Sequence, residues 1–84
     1  MATNLFVGNL PFSTGSNELE EMFSRYGSVS RAQVITDRDT GRSRGFGFVE
    51  MDSDDEAQSA IEALDGSDLG GRQLKVNVAR ERSR

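Results

Sequence analysis

The sequence predicts an α+β fold in which a four-stranded antiparallel sheet carries two helices packed on one face, in the chain order βαββαβ. Three observations lead there. Four stretches alternate like strands and two repeat at the helical period of about 3.6 residues, in the order strand, helix, strand, strand, helix, strand. The two middle strands are joined by Thr36–Ser43, a run of turn-forming residues that suits a hairpin. At 84 residues the chain is long enough for one buried core and too short for two. A split βαβ arrangement meets all three conditions and leaves the second face of the sheet open to water.

Each element has its own warrant. In the first strand, 4–8, Leu5 and Val7 point inward while Asn4, Phe6 and Gly8 point outward. The first helix begins near Ser16 or Asn17, because Leu19, Met22, Phe23 and Tyr26 then form one apolar stripe, and Gly27 is positioned to cap its end. The second strand, 29–36, turns Ala32 and Val34 inward and Arg31, Gln33 and Ile35 outward. In the third, 44–51, Arg44, Phe46, Phe48 and Glu50 share one face, and Gly45, Gly47, Val49 and Met51 the other. Ser53 with Glu56 forms a capping box ahead of the second helix, whose stripe is Ala57, Ala60, Ile61 and Leu64. The fourth strand, 73–79, places Leu74, Val76 and Val78 inside and Lys75, Asn77 and Ala79 outside. Residues 81–84 are too polar to pack, so the domain is expected to span 1–80 with a flexible tail beyond it.

Composition excludes several classes. Cysteine and histidine are both absent, which removes disulfides, thiolate metal sites and the commonest general base. With Lys75 the only lysine, no nucleophile–base pair can be assembled, so neither catalysis nor a metal or cofactor is expected. Nothing resembles a secretory leader or a membrane span, and no membrane association is expected. The net charge of -4 by itself argues against a nucleic-acid ligand. Its distribution argues otherwise: acids crowd 50–68, while Arg38, Arg42, Arg44, Arg72, Lys75 and Arg80 fall on or beside the strands.

The outward row of the third strand is the informative feature. Its charged ends, Arg44 and Glu50, mark it as the solvent side, and Phe46 and Phe48 lie between them. Phe6 joins them from the first strand. Exposing phenylalanine forfeits roughly 1.5–3 kcal/mol of burial, and a glycine in the inward row costs roughly 0.5–1 kcal/mol relative to alanine. Such departures from stability mark function. The opposite parity would bury Arg44 and Glu50 and expose Val49 and Met51. Rings among amide and basic groups suit single-stranded nucleic acid, whose bases stack and whose phosphates pair with arginine. Arginine supplies nine of the ten basic residues.

Arg44-Gly45-Phe46-Gly47-Phe48-Val49-Glu50-Met51 resembles the octamer signature of the RNA recognition motif family, and Leu5-Phe6-Val7-Gly8-Asn9-Leu10 is similar to its partner hexamer. The resemblance spans 3–80 and extends to small bacterial and plant glycine-rich members, without the glycine-rich tail of the latter. It implies a ferredoxin-like fold binding single-stranded RNA, with single-stranded DNA as a second candidate, as a monomer acting in post-transcriptional regulation. For a bacterial protein it implies the cytoplasm, and for a eukaryotic one the nucleus or an organelle. By the same resemblance Phe6 and Phe48 would each stack a base, Phe46 would lie against sugars, and Arg44 would bind a phosphate. Lys75, Asn77, Ala79 and Arg80 would read bases, Gln33 and Ile35 would make edge contacts, and Arg38 and Arg42 would steer or clamp the backbone.

Two local patterns carry no site. Asp52-Ser53-Asp54-Asp55-Glu56 lacks the glycine and the terminal glutamate of a calcium loop and reads as acids at a helix start. Gly45-Phe46-Gly47 lies inside a strand and is no dinucleotide loop. The alternative function is a protein-binding module of the same fold that uses an acidic first helix, here bearing Glu18, Glu20 and Glu21. Against it, Arg72-Gln73-Leu74 stands where that subfamily has an Arg-x-Phe motif, and both nucleic-acid signatures are intact.

Overall fold

A computed structural model describes residues 3–79. Arg80 and the expected tail, 81–84, lie outside the described residues. The elements are β1 (Thr3–Gly8), α1 (Ser16–Ser24), β2 (Val29–Thr36), β3 (Ser43–Met51), α2 (Asp54–Leu64), β4 (Asp68–Leu69), β5 (Arg72–Gln73) and β6 (Lys75–Val78). The main sheet has the order β2-β3-β1-β6, and every neighbouring pair is antiparallel. Both helices pack on one face, as the period-2 and helical patterns require.

Between that face and the helices lies the core. Leu5 and Val7 from β1, Val49 and Met51 from β3, and Val76 from β6 meet Leu19 and Phe23 of α1 and Ala57 and Ala60 of α2. All of these are essentially excluded from solvent. Val78 departs from expectation. It keeps the parity of Val76 but remains 42% exposed, because β6 is an edge strand and the cleft beside Asp54, Ala57 and Gln58 is left open.

The capping groups are shared between elements. Ser53 Oγ accepts from the Glu56 N–H at 3.2 Å, half of the expected box. The Glu56 carboxylate does not return to its own helix start: it accepts from the Ser28 N–H at 3.0 Å and so ties the α1–β2 connection to α2. Gly27 lies against this same side chain and is not in the left-handed region, so its expected role as a helix cap is replaced by one of clearance. At the start of α1, the Gly15 N–H donates to Glu18 Oε1 at 2.9 Å.

The fourth strand begins later than the sequence suggests. Arg72–Gln73 pairs with Asp68–Leu69 as a separate hairpin, and Leu74 is the buried pivot before β6. Gly70 and Gly71, at φ 59° and 83°, supply the two positive-φ positions that a two-residue hairpin turn demands.

Gly47 changes its meaning in three dimensions. A Cβ there would stand 2.5 Å from the Gln33 carbonyl oxygen and 3.2 Å from Leu19 Cδ2. The glycine is therefore required for α1 and β2 to close on β3, and its presence in the inward row is a demand of packing rather than a mark of function. Gly47→Ala is expected to destabilise the domain by about 1–3 kcal/mol through overpacking. Urea unfolding would register this as a lower midpoint at unchanged slope.

Candidate nucleic-acid interface

Strand register builds the open face as a grid. Gln33, Phe48, Phe6 and Asn77 stand opposite one another in a single row across all four strands of the main sheet. Two pairs further toward the C-terminal end of β1, Phe46, Gly8 and Lys75 form a second row. On the other side of the central row, Arg31, Glu50 and Asn4 form a third, and the Ala79 N–H donates to the Asn4 carbonyl at 2.8 Å. The rings thus come from the two central strands, and polar side chains flank them from the edges.

The three rings touch pairwise. Phe6 lies 5.9 Å from both Phe46 and Phe48, and Phe46 lies 6.2 Å from Phe48. Interplanar angles of 65° and 89° give Phe48 an edge contact to each of the others, while Phe6 and Phe46 are tilted by only 32°. Such geometries suit the ring quadrupoles and hold the rings in place at about 0.5–1.5 kcal/mol per pair. Phe48 is 39% exposed, whereas Phe6 and Phe46 are half-buried against it and against each other. Val49 and Met51, on the opposite face of β3, are fully buried, which excludes the reversed parity.

Gly8 supports this arrangement. A Cβ at that position would meet Phe6 Cε2 at 2.8 Å and Cζ at 3.1 Å, so the outer edge of the Phe6 ring occupies the space above the glycine. No larger residue leaves room for that orientation.

The remaining residues singled out by sequence are dispersed around the grid. Ile35 is half-buried on β2 on the side of Gln33, and Ala79 is half-buried just beyond β6. Arg44 is exposed at the start of β3, where with Arg42 it lines a cleft of about 770 Å³ that also includes Phe12, Ser13 and Asp37. Arg38 is exposed in the β2–β3 turn and lies outside that lining. The turn itself is ordered by its backbone, with Asp37 and Arg42 joined at 2.7 Å and the Asp37 carboxylate accepting from the Asp39 N–H at 2.9 Å. Among the described residues, no group of three potential metal ligands converges.

Sequence reasoning passed over Phe12. Among the described residues it is the most exposed large apolar side chain, at 65%, and the Arg72 guanidinium sits 5.3 Å from the centre of its ring. Pro11-Phe12 belongs to neither a helical stripe nor a strand row, and an aromatic residue with no periodic partner was the available signal.

Residues 5–75 match the family model of the RNA recognition motif. The chain is 56% identical over 79 residues to RbpE of the cyanobacterium Nostoc, covering 94% of itself and 80% of that protein. It is 55% identical over 83 residues to the chloroplastic RNA-binding protein CP31B of Arabidopsis thaliana, covering 99% of itself and 29% of that relative. The spinach chloroplastic 28 kDa ribonucleoprotein is likewise spanned over only 34% of its length. Among solved structures, RNA Binding Protein PG1 superposes with a TM-score of 0.91 at 48% identity, over 98% of this chain and 99% of that one. A Sex-lethal protein/RNA complex superposes at 0.87 with 39% identity, over 92% of this chain and 47% of that one. The chain belongs to the RNA recognition motif family and has its ferredoxin-like fold.

Because the two faces of β3 do different work, matched truncations should separate them. Met51→Ala should lose about 2–5 kcal/mol of stability, as for a buried side chain leaving a cavity. Phe48→Ala should lose less, about 1–3 kcal/mol, since it forfeits two ring–ring edge contacts but leaves no enclosed cavity. Thermal or urea unfolding of the two variants checks the contrast.

Proposed function

We propose that this domain binds single-stranded RNA on the open face of the sheet, without catalysis. The observation that carries this is the four-residue row Gln33–Phe48–Phe6–Asn77, in which two rings are bracketed by two amides. Phe48 and Phe6 each take a base on the ring face, and Phe46 lies against the sugars between them. Gln33 and Asn77 are placed to bond base edges, each amide offering both donor and acceptor. Lys75 and Arg44 meet phosphates at the end of the sheet nearest the β2–β3 turn, where Arg38 and Arg42 add charge. Ile35 and Ala79 contribute contact area at the two edges, and Arg80 follows Ala79.

A single strand fits this surface better than a duplex. Stacking needs bases splayed from their partners, and a flat sheet cannot enter the deep, narrow groove of an A-form helix. Charge favours the same face: Glu18, Glu20 and Glu21 of α1 and Asp54, Asp55 and Glu62 of α2 stand exposed on the helical layer, where they repel a phosphate chain. Single-stranded DNA is the lesser candidate because it lacks the 2′-hydroxyl. In this reading the domain is monomeric and acts after transcription, in the cytoplasm if the chain is bacterial. No described helix is long and apolar enough to cross a membrane.

Two or three bases held directly correspond to a dissociation constant on the order of micromolar, about -8 kcal/mol. Fluorescence anisotropy with a labelled random-sequence RNA strand should show this affinity at low salt. Neutralising a few phosphates should give a log–log salt slope of about -2 to -4. Phe48→Ala should weaken binding by about 1–3 kcal/mol. Absence of binding by the folded domain at low salt would overturn the proposal.

A further inference from the structure

Glu50 is the one acid in the three rows of the open face, whose other polar members are Gln33, Asn77, Lys75, Arg31 and Asn4. It stands two residues beyond Phe48 on the central strand β3, with Arg31 opposite on β2 and Asn4 opposite on β1. Both of these neighbours are exposed, whereas Glu50 is half-buried. Its charge therefore lies within the surface that a bound strand would cover, and there it repels phosphates. A group that works against the ligand of its own face marks a function, as other departures from local rules do.

Register decides which base Glu50 meets. Side chains opposite one another in a sheet stand about 5 Å apart, and those two residues apart on one strand about 7 Å. A base lying on Phe48 thus has Gln33 beside it across the strand pair and Glu50 beside it along the strand. A base lying on Phe6 has Asn77 and Asn4 in the same two places. The two positions differ in one respect. Amides both donate and accept, whereas an ionised carboxylate only accepts, and its hydrogen bonds are the stronger for its charge. Unpaired bases expose their Watson–Crick edges to such groups. Guanine alone presents two adjacent donors there, N1–H and N2–H, spaced to meet both oxygens of one carboxylate. The uracil N3–H lies between two carbonyls, and the amino groups of adenine and cytosine adjoin a ring nitrogen that accepts, so each of these sets an acceptor against the carboxylate.

We propose that Glu50 is a specificity-determining residue that selects guanine as the base stacked on Phe48. Its two carboxylate oxygens accept from guanine N1–H and N2–H, and the other three bases are disfavoured there by the acceptors they bring to the same place. The position on Phe6, flanked by amides, stays tolerant. This selectivity rests on the RNA-binding function proposed above and names the base which that function prefers.

The test uses labelled strands of about six uridines, longer than the sheet holds directly, so that a strand can slide to bring any one base onto Phe48. One central uridine is replaced by guanosine, adenosine or cytidine, and each strand is titrated at low salt. The wild-type domain should bind the guanosine strand about 5- to 50-fold more tightly than the other three, the range for a bidentate base contact. Glu50→Gln keeps the shape of the side chain and removes the charge. It should bring the guanosine strand within about twofold of the others by weakening that strand alone. Phe48→Ala should weaken every strand. If Glu50→Gln instead tightens all four strands alike, the acid serves only as the cross-strand partner of Arg31 and the selectivity is overturned. The same follows if the wild-type domain shows no preference for guanosine, or if the Gln variant keeps that preference. In each of these cases binding on the sheet stands. If the wild-type domain binds none of the strands, the RNA-binding function is overturned and the selectivity with it.

Discussion

Phe6 stands opposite Phe48, and Leu5 opposite Val49, in the register between β1 and β3 at the centre of the sheet. Successive side chains on a strand point to opposite faces, so this one pairing decides both the core and the open surface. A slip of one residue would turn the phenylalanines toward α1 and α2 and put Leu5, Val7 and Val49 in water. Burial of those apolar residues against Leu19 and Phe23 forbids the slip. The same free energy that holds the domain together therefore presents the rings to solvent, although exposure of a ring is by itself unfavourable.

Two glycines adapt the backbone to that division. Gly47 faces the helices and lets β2 and Leu19 close on β3; Gly8 lies on the open face, buried beneath the edge of the Phe6 ring that it leaves room for. They sit in diagonal positions of the same strand pair and serve opposite faces. Stability and the exposure of the rings are thus separable by substitution, one face at a time. Charge is divided in the same way. The acids that make the total -4 lie largely on the helical layer and on the segment 50–68, while Lys75, Arg31, Arg44 and the turn arginines surround the sheet. A phosphate chain meets attraction on one side of the molecule and repulsion on the other, so net charge describes neither face.

The periphery follows from short-range chemistry. Glu56 caps a neighbouring connection, and Gly70-Gly71 turns a short hairpin before β6. That hairpin positions Arg72 over Phe12, which joins a segment remote in sequence to the loop after β1. The cleft at the end of the sheet is assembled from two connections, the one after β1 and the β2–β3 turn, and neither forms it alone.

Periodicity in the sequence was enough to determine the order of the main elements, the two helices, most of the core, though not the exposure of Val78 or the burial of Leu10, and the face on which Phe6, Phe46 and Phe48 lie. Alternation and the helical repeat are local properties, and burial acts on them directly. The paired signatures at 5–10 and 44–51 were equally legible as a resemblance, since each lies within one strand and its adjoining turn. Only the tertiary structure decided the rest. The Gln33–Phe48–Phe6–Asn77 row depends on registers between segments up to 71 residues apart in number, Phe6 with Asn77 being the furthest of its pairings. Gly47 reads from sequence as a weakness and proves to be a contact, because the Gln33 carbonyl and Leu19 that require it come from other elements. Phe12 had no pattern to betray it. Its setting comes from Arg72, Gly45 and the β2–β3 turn, which folding alone brings to the same place.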